Sequence, residues 1–180
     1  KGREAAARSQ CQNNLKQMGI VFKMYSGESK GAYWPPIGPY PGEWVPDLPA
    51  IFPEYVSDFA VLVCPSQHKP DTSIPIELAQ QLPDDNAASK IASIVARNYT
   101  YFGWDFVSDK DIISVKLARE SEPEMMRYVD VKSPTCNVHR LEEEITRFYI
   151  TDSNDPAATA RLWSTISTLF DTVTPNIHAH

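Results

Sequence analysis

Apolar side chains recur through the first thirty positions at helical spacing. Cys11, Leu15, Met18, Phe22 and Tyr25 follow one another at steps of four, three, four and three, which sets them on one stripe of an α-helix running from Arg3 to about Tyr25. Ala7 extends the stripe backwards, while Arg8, Gln12, Lys16 and Lys23 project from another side. Asn14 falls on the margin, where burial would oblige it to find a hydrogen-bond partner. Ala5-Ala6-Ala7 favours helix and no capping residue precedes Arg3, so the helix is expected to be already under way at the first residue given. It would be roughly 35 Å long, packed along its stripe while its first turns project. Ser26-Gly27 and Gly31 supply the stop.

The next segment, residues 33–56, interleaves seven prolines from Pro35 to Pro53 with Tyr33, Trp34, Tyr40, Trp44, Phe52 and Tyr55. Proline fixes φ and removes a donor, so the segment is expected to be an ordered extended loop, held on the core by its aromatics. Asp58 to Cys64 reads as a buried strand. Two short helices are expected at Pro75–Leu82 and Asp84–Arg97, parted by Pro83, with Asp84 or Asp85 capping the second. Asn98 to Phe106 suits a strand, Ile112 to Val131 a hairpin, and Ile145 to Thr151 another strand. Asn154 or Asp155 then caps a helix with Pro156 in its first turn and Trp163, Ile166, Phe170 and Val173 on one stripe.

Composition narrows the class. A chain of 180 residues that is 42% hydrophobic, 22% charged and 11% aromatic supports one packed domain rather than disorder. It contains no apolar run long enough to span a membrane and no signal-peptide pattern. The net charge of -6 argues against a nucleic-acid partner, but residues 1–30 carry +4 and leave -10 on the rest. A basic start on an acidic body suits a segment near anionic phospholipid or an acidic neighbour, and equally a solvated helix face.

Candidate chemistry is sparse. Cys11, Cys64 and Cys136 form no C-x-x-C, and any one of the three pairs could close in an oxidising compartment. A cysteine hydrolase would draw on Cys64, His139 and Asp152, but nothing near Cys64 in sequence would lower its pKa, so a structural thiol is the better reading. Asp152, Asn154 and Asp155 offer hard oxygen ligands for calcium, although the same residues make an ordinary capped turn. His178 and His180 would share one side of an extended tail, with no third ligand. No cofactor is expected, with calcium the one metal these oxygens would suit.

The run from Ala7 to Gly19 (Ala-Arg-Ser-Gln-Cys-Gln-Asn-Asn-Leu-Lys-Gln-Met-Gly), followed by Met24-Tyr25, resembles the post-transmembrane segment of bacterial type IV pilin-like proteins. The nearest group is the type II secretion-related pseudopilins of planctomycete and verrucomicrobial genomes. Tyr33 to Pro36 is similar to that family's aromatic-Pro-Pro turn, Val63-Cys64-Pro65-Ser66 to its Cys-Pro-Ser motif, and Asn98-Tyr99-Thr100-Tyr101 to its tyrosine-rich strand. The resemblance spans residues 3–104. It implies a cleaved leader and an apolar half-helix upstream, anchoring a precursor in the inner membrane, methylated at its N-terminus, before forming a fibre core. Relatives close with a glycine-rich turn and an Asp-Gly-His strand; this sequence stops at Ile177-His178-Ala179-His180 instead.

The resulting expectation is an α+β, pilin-like domain. A long N-terminal helix (1–30) crosses an antiparallel sheet of roughly four strands, with a proline-aromatic loop (31–57) and a body of sheet and added helices (58–180). The resemblance implies a non-enzymatic structural subunit of a periplasmic fibre serving protein transport. Its partners would be other pilin-like subunits and the inner membrane, with the domain in the periplasm or at the cell surface after assembly. Assembly and core packing would fall to Arg3, Arg8, Cys11, Leu15, Met18, Phe22 and Tyr25. The competing expectation is a secreted or surface module that captures glycan or peptide on exposed Trp34, Tyr40 and Trp44.

Overall fold

The computed structural model describes residues 2–65, 74–106, 108–133, 136–142 and 169–171. The fold is α+β. Helix α1 (Gly2–Glu28) is followed by the one-turn α2 (Leu48–Ile51), α3 (Ile76–Ala79), α4 (Asp85–Ala96), strand β1 (Tyr99–Tyr101), α5 (Asp109–Ser121), and strands β2 (Val131–Ser133), β3 (Cys136–Val138) and β4 (Leu169–Asp171). Strand β1 pairs antiparallel with β4, and β2 with β3. No described helix is long and apolar enough to cross a membrane.

Helix α1 packs by the stripe its sequence announces. Cys11, Met18 and Phe22 are buried, Leu15 and Tyr25 half-buried, and Arg8, Gln12, Lys16 and Lys23 exposed. Val21, Asn14 and Ser26 widen the buried band. The helix meets β1, whose Tyr99 and Tyr101 point to one face and are both buried. The Tyr101 ring lies 4.9 Å from that of Phe22, while the Tyr99 hydroxyl accepts a 3.3 Å bond from Asn14 Nδ2. The helix runs to Glu28, and the chain then turns through Gly31 (φ 87°), where a Cβ would collide with the Tyr33 ring.

Two main cores result. One gathers α1, α2, α4 and the turn before Cys64 around Met18, Phe22, Leu48, Leu62, Ile91 and Val95. The other places α5 against the β2–β3 ribbon and Trp104. Residues 139–142 lie between two neighbours, with the Asp105 amide bonding His139 O and the Leu141 amide bonding Gly103 O on one side, and the Trp34 amide bonding Leu141 O on the other.

Several expected elements take another form. Asp58 to Cys64 is not a strand. Phe59–Leu62 makes a 3-10 turn because the Asp58 carboxylate accepts the Ala60 amide at 2.8 Å, and Phe59 and Leu62, three apart, both turn inward. The hairpin expected from Ile112 to Val131 is α5 followed by a 3-10 turn at Met125–Arg127, and the hairpin begins only at Val131. Ser108 starts α5: its amide and hydroxyl both donate to the Asp111 carboxylate. The strand expected over 98–106 is the three-residue β1, with Trp104 making a separate bridge to Arg140. In place of a four-stranded sheet, the described strands form two two-stranded ribbons. Phe170, expected on a helix, lies in β4. The proline loop contains one helical turn, α2, and an Ile37–Pro46 bridge. Helices α3 and α4 fall where expected, with Asp84 capping α4 through the Ala87 amide at 2.9 Å. The strand expected at Ile145–Thr151 and the helix cap at Asn154–Pro156 lie outside the described residues.

Candidate functional site

The arrangement of α1 divides it in two. From Cys11 onward every third or fourth residue is buried, whereas Gly2 to Gln10 are exposed apart from half-buried Ala7. The exposed turns carry Arg3 and Arg8 and extend over about 13 Å at the usual helical rise.

A short cross-linked cluster fixes the place where burial begins. Cys11 is bridged to Cys64, with Cα atoms 5.2 Å apart, and the pair packs with Tyr99 and Leu15. Asn14, one turn on, donates to Val63 O at 2.9 Å as well as meeting Tyr99. The Cys64 amide donates to Asn98 Oδ1 at 3.0 Å, and Asn98 in turn donates to Ile94 O at the end of α4. Covalent bond and amide bonds therefore tie α1, the 3-10 turn, α4 and β1 at one point. The open choice among three cysteine pairs resolves to Cys11–Cys64, leaving Cys136 as a buried thiol. Cys64 consequently supplies no thiolate, and the hydrolase trio loses its nucleophile.

The proline loop is held down by arginines, which the sequence reading did not foresee. Proline contributes no N–H, and side-chain donors meet several of the loop's carbonyls. Arg119 Nη2 reaches the carbonyls of Gly38, Tyr40 and Glu43 at 3.1, 3.0 and 2.8 Å. Arg127 Nε donates to Ile37 O at 3.0 Å, and its other nitrogens pair with Asp47 and Glu124. Arg140 Nη2 donates to Trp34 O and its guanidinium lies 4.5 Å from the Tyr33 ring centre. The Tyr101 hydroxyl adds a 2.6 Å bond to Pro35 O. Tyr40 is buried, and Trp34 and Trp44 are half-buried, so the three do not form an exposed aromatic platform, although Trp44 keeps part of its surface in an open pocket beside the prolines.

One buried polar cluster lies beside the second core. Asp105, 1% exposed, accepts the His139 amide through Oδ1, while its Oδ2 has no hydrogen-bond partner among the described residues. Burial pushes its carboxyl up to about 7, against which the His139 amide acts, while Asp130 and Asp111 raise it further. His139 Nδ1 stands 3.4 Å from Asp130, and Asn137 meets Nε2 at 3.1 Å. Asp130 Oδ1 also accepts the Arg140 amide at 2.9 Å. Among the described residues, no group of three or more His, Cys, Asp or Glu could hold a metal. The calcium candidates Asp152, Asn154 and Asp155, and the tail residues His178 and His180, lie outside the described residues.

The model of one protein family, described as "SBP_bac_10: Protein of unknown function (DUF1559)", matches residues 1–38. That stretch is α1 together with its exit turn and the first prolines. No curated protein matches the chain, and no solved structure matches it.

Proposed function

We propose that this chain is the globular part of a pseudopilin-like structural subunit, one that joins other pilin-like subunits through α1 and performs no bond chemistry. The observation that carries the reading is the division of α1. Its second half is tied to the body by packing, by the Cys11–Cys64 bridge and by Asn14, and its first turns expose Arg3 and Arg8. A helix needing only its own stability would gain little from nine residues that bury almost nothing. The family matched over residues 1–38 is associated with pilin-like, type II secretion-type proteins, and the match covers the element the reading depends on. The disulfide supports a location outside the reducing cytosol, such as the periplasm or the cell surface.

In this reading the precursor is held at the inner membrane by an apolar segment ahead of α1. Arg3 and Arg8 meet anionic headgroups there and acidic neighbours after assembly. The test is charge reversal in the precursor expressed with its partner subunits. Arg3→Glu with Arg8→Glu should abolish fibres seen by electron microscopy while circular dichroism and melting temperature stay at wild-type values. Fibres of normal number and length from that variant would refute the assignment.

A further inference from the structure

A second feature stands apart from α1. The loop 38–44 and α5 enclose an open pocket of about 560 Å³, walled by Pro39, Pro41, Trp44 and Pro123, with Lys116 and Arg119 contributed by the helix. Arg119 is only 9% exposed, yet among the described residues no carboxylate forms an ion pair with it. Its neighbour in the fold, Arg127, has Asp47 and Glu124 for that purpose. The three carbonyls that bond Arg119 all do so through Nη2, and its guanidinium carbon lies 5.0 Å from the Trp44 ring centre. Burial pulls its pKa downward and the Arg127 charge adds to this, with the Glu43 charge opposing. A buried cation at a pocket wall, bonded to carbonyl dipoles and, among the described residues, in direct ion pair with no carboxylate, leaves favourable energy for an anion that enters.

We infer that this pocket binds the carboxylate of an acidic sugar, a uronate, with the carboxylate against Arg119 and Lys116 and the sugar ring on the proline and tryptophan walls. Flat apolar walls suit the C–H face of a pyranose ring. A peptide would find fewer partners. The carbonyls of Gly38, Tyr40 and Glu43 are already taken by Arg119, Pro39 and Pro41 have no N–H, and the Gly38 and Glu43 amides bond Val45 O and Tyr40 O. Glu120 sits at the same rim and can accept from sugar hydroxyls. This site is independent of α1 and of any fibre.

The test is isothermal titration of the whole chain with trigalacturonate at low ionic strength, beside neutral galactotriose and a short apolar peptide with a free C-terminal carboxylate. Trigalacturonate should bind at least about tenfold tighter than the neutral sugar, as expected for one charge-assisted contact. Lys116→Ala, an exposed position that leaves the loop intact, should weaken it several-fold, while Lys110→Ala on the same helix should not. Equal binding of charged and neutral sugars, no heat from either, preference for the peptide, or equal loss in the two lysine variants would each overturn the proposal.

Discussion

Asp105 is the residue most out of keeping with its surroundings. Its carboxyl is pushed up from 3.8 to about 7, first by burial and then by Asp130 and Asp111. The folded protein therefore holds this proton more tightly than the unfolded chain does. The associated stability is complete below about pH 4 and is lost as pH rises through about 7. Asp105→Asn keeps an oxygen for the His139 amide and abolishes the charge. The variant should melt higher than wild type at pH 8, with a flatter stability profile between pH 4 and 7; an unchanged profile in a denaturant titration series would exclude Asp105 as its source. Asn14 presents the opposite case, a buried amide with its bonds made. Asn14→Leu removes the donor to the Val63 carbonyl and should cost about 1–3 kcal/mol in urea unfolding. Loss below about 0.5 kcal/mol would mean that water replaces the amide.

At the scale of elements, the stripe on α1 makes a sharp contrast between adjacent residues. Phe22 is buried against Trp34 and Tyr101, whereas Lys23 is exposed. Phe22→Ala should cost about 3–5 kcal/mol and Lys23→Ala less than about 0.5. Equal losses would refute the face assignment. Opening the Cys11–Cys64 bridge, which spans 53 residues, should cost roughly 4 kcal/mol by loop-closure entropy. Helix α1 was legible because five apolar positions repeat at its own period, and α4 because Asp84 and Pro83 punctuate its start. Asp58–Cys64 misled because a short apolar run has no period of its own. One bond donated by the Ala60 amide to the Asp58 carboxylate and the inward pair Phe59 and Leu62 gave the 3-10 turn. In α5 the start signal was present in Ser108-x-x-Asp111, but its inward face includes Arg119, which a hydrophobic pattern counts as surface. The disulfide joins positions 53 apart, and cysteine spacing alone does not specify pairing.

For the whole molecule, the candidate sites differ in how far sequence reveals them. Arg3 and Arg8 are visible as charges beside an apolar stripe, and the N-terminal motif is local. The pocket at Arg119 depends on contacts between residues some eighty positions apart, so no window along the chain contains it. The two cores and the disulfide junction hold the second half of α1, its first turns are exposed, and the proposed role gives those turns their partners. Hydrogen exchange of the Arg3–Gln10 amides, read by mass spectrometry in free domain and assembled fibre, tests this most directly. Those amides should exchange rapidly in the free domain and become strongly protected in the fibre, while the amides of Met18 to Tyr25 remain slow in both. Equal exchange of the Arg3–Gln10 amides in the two states would contradict the account.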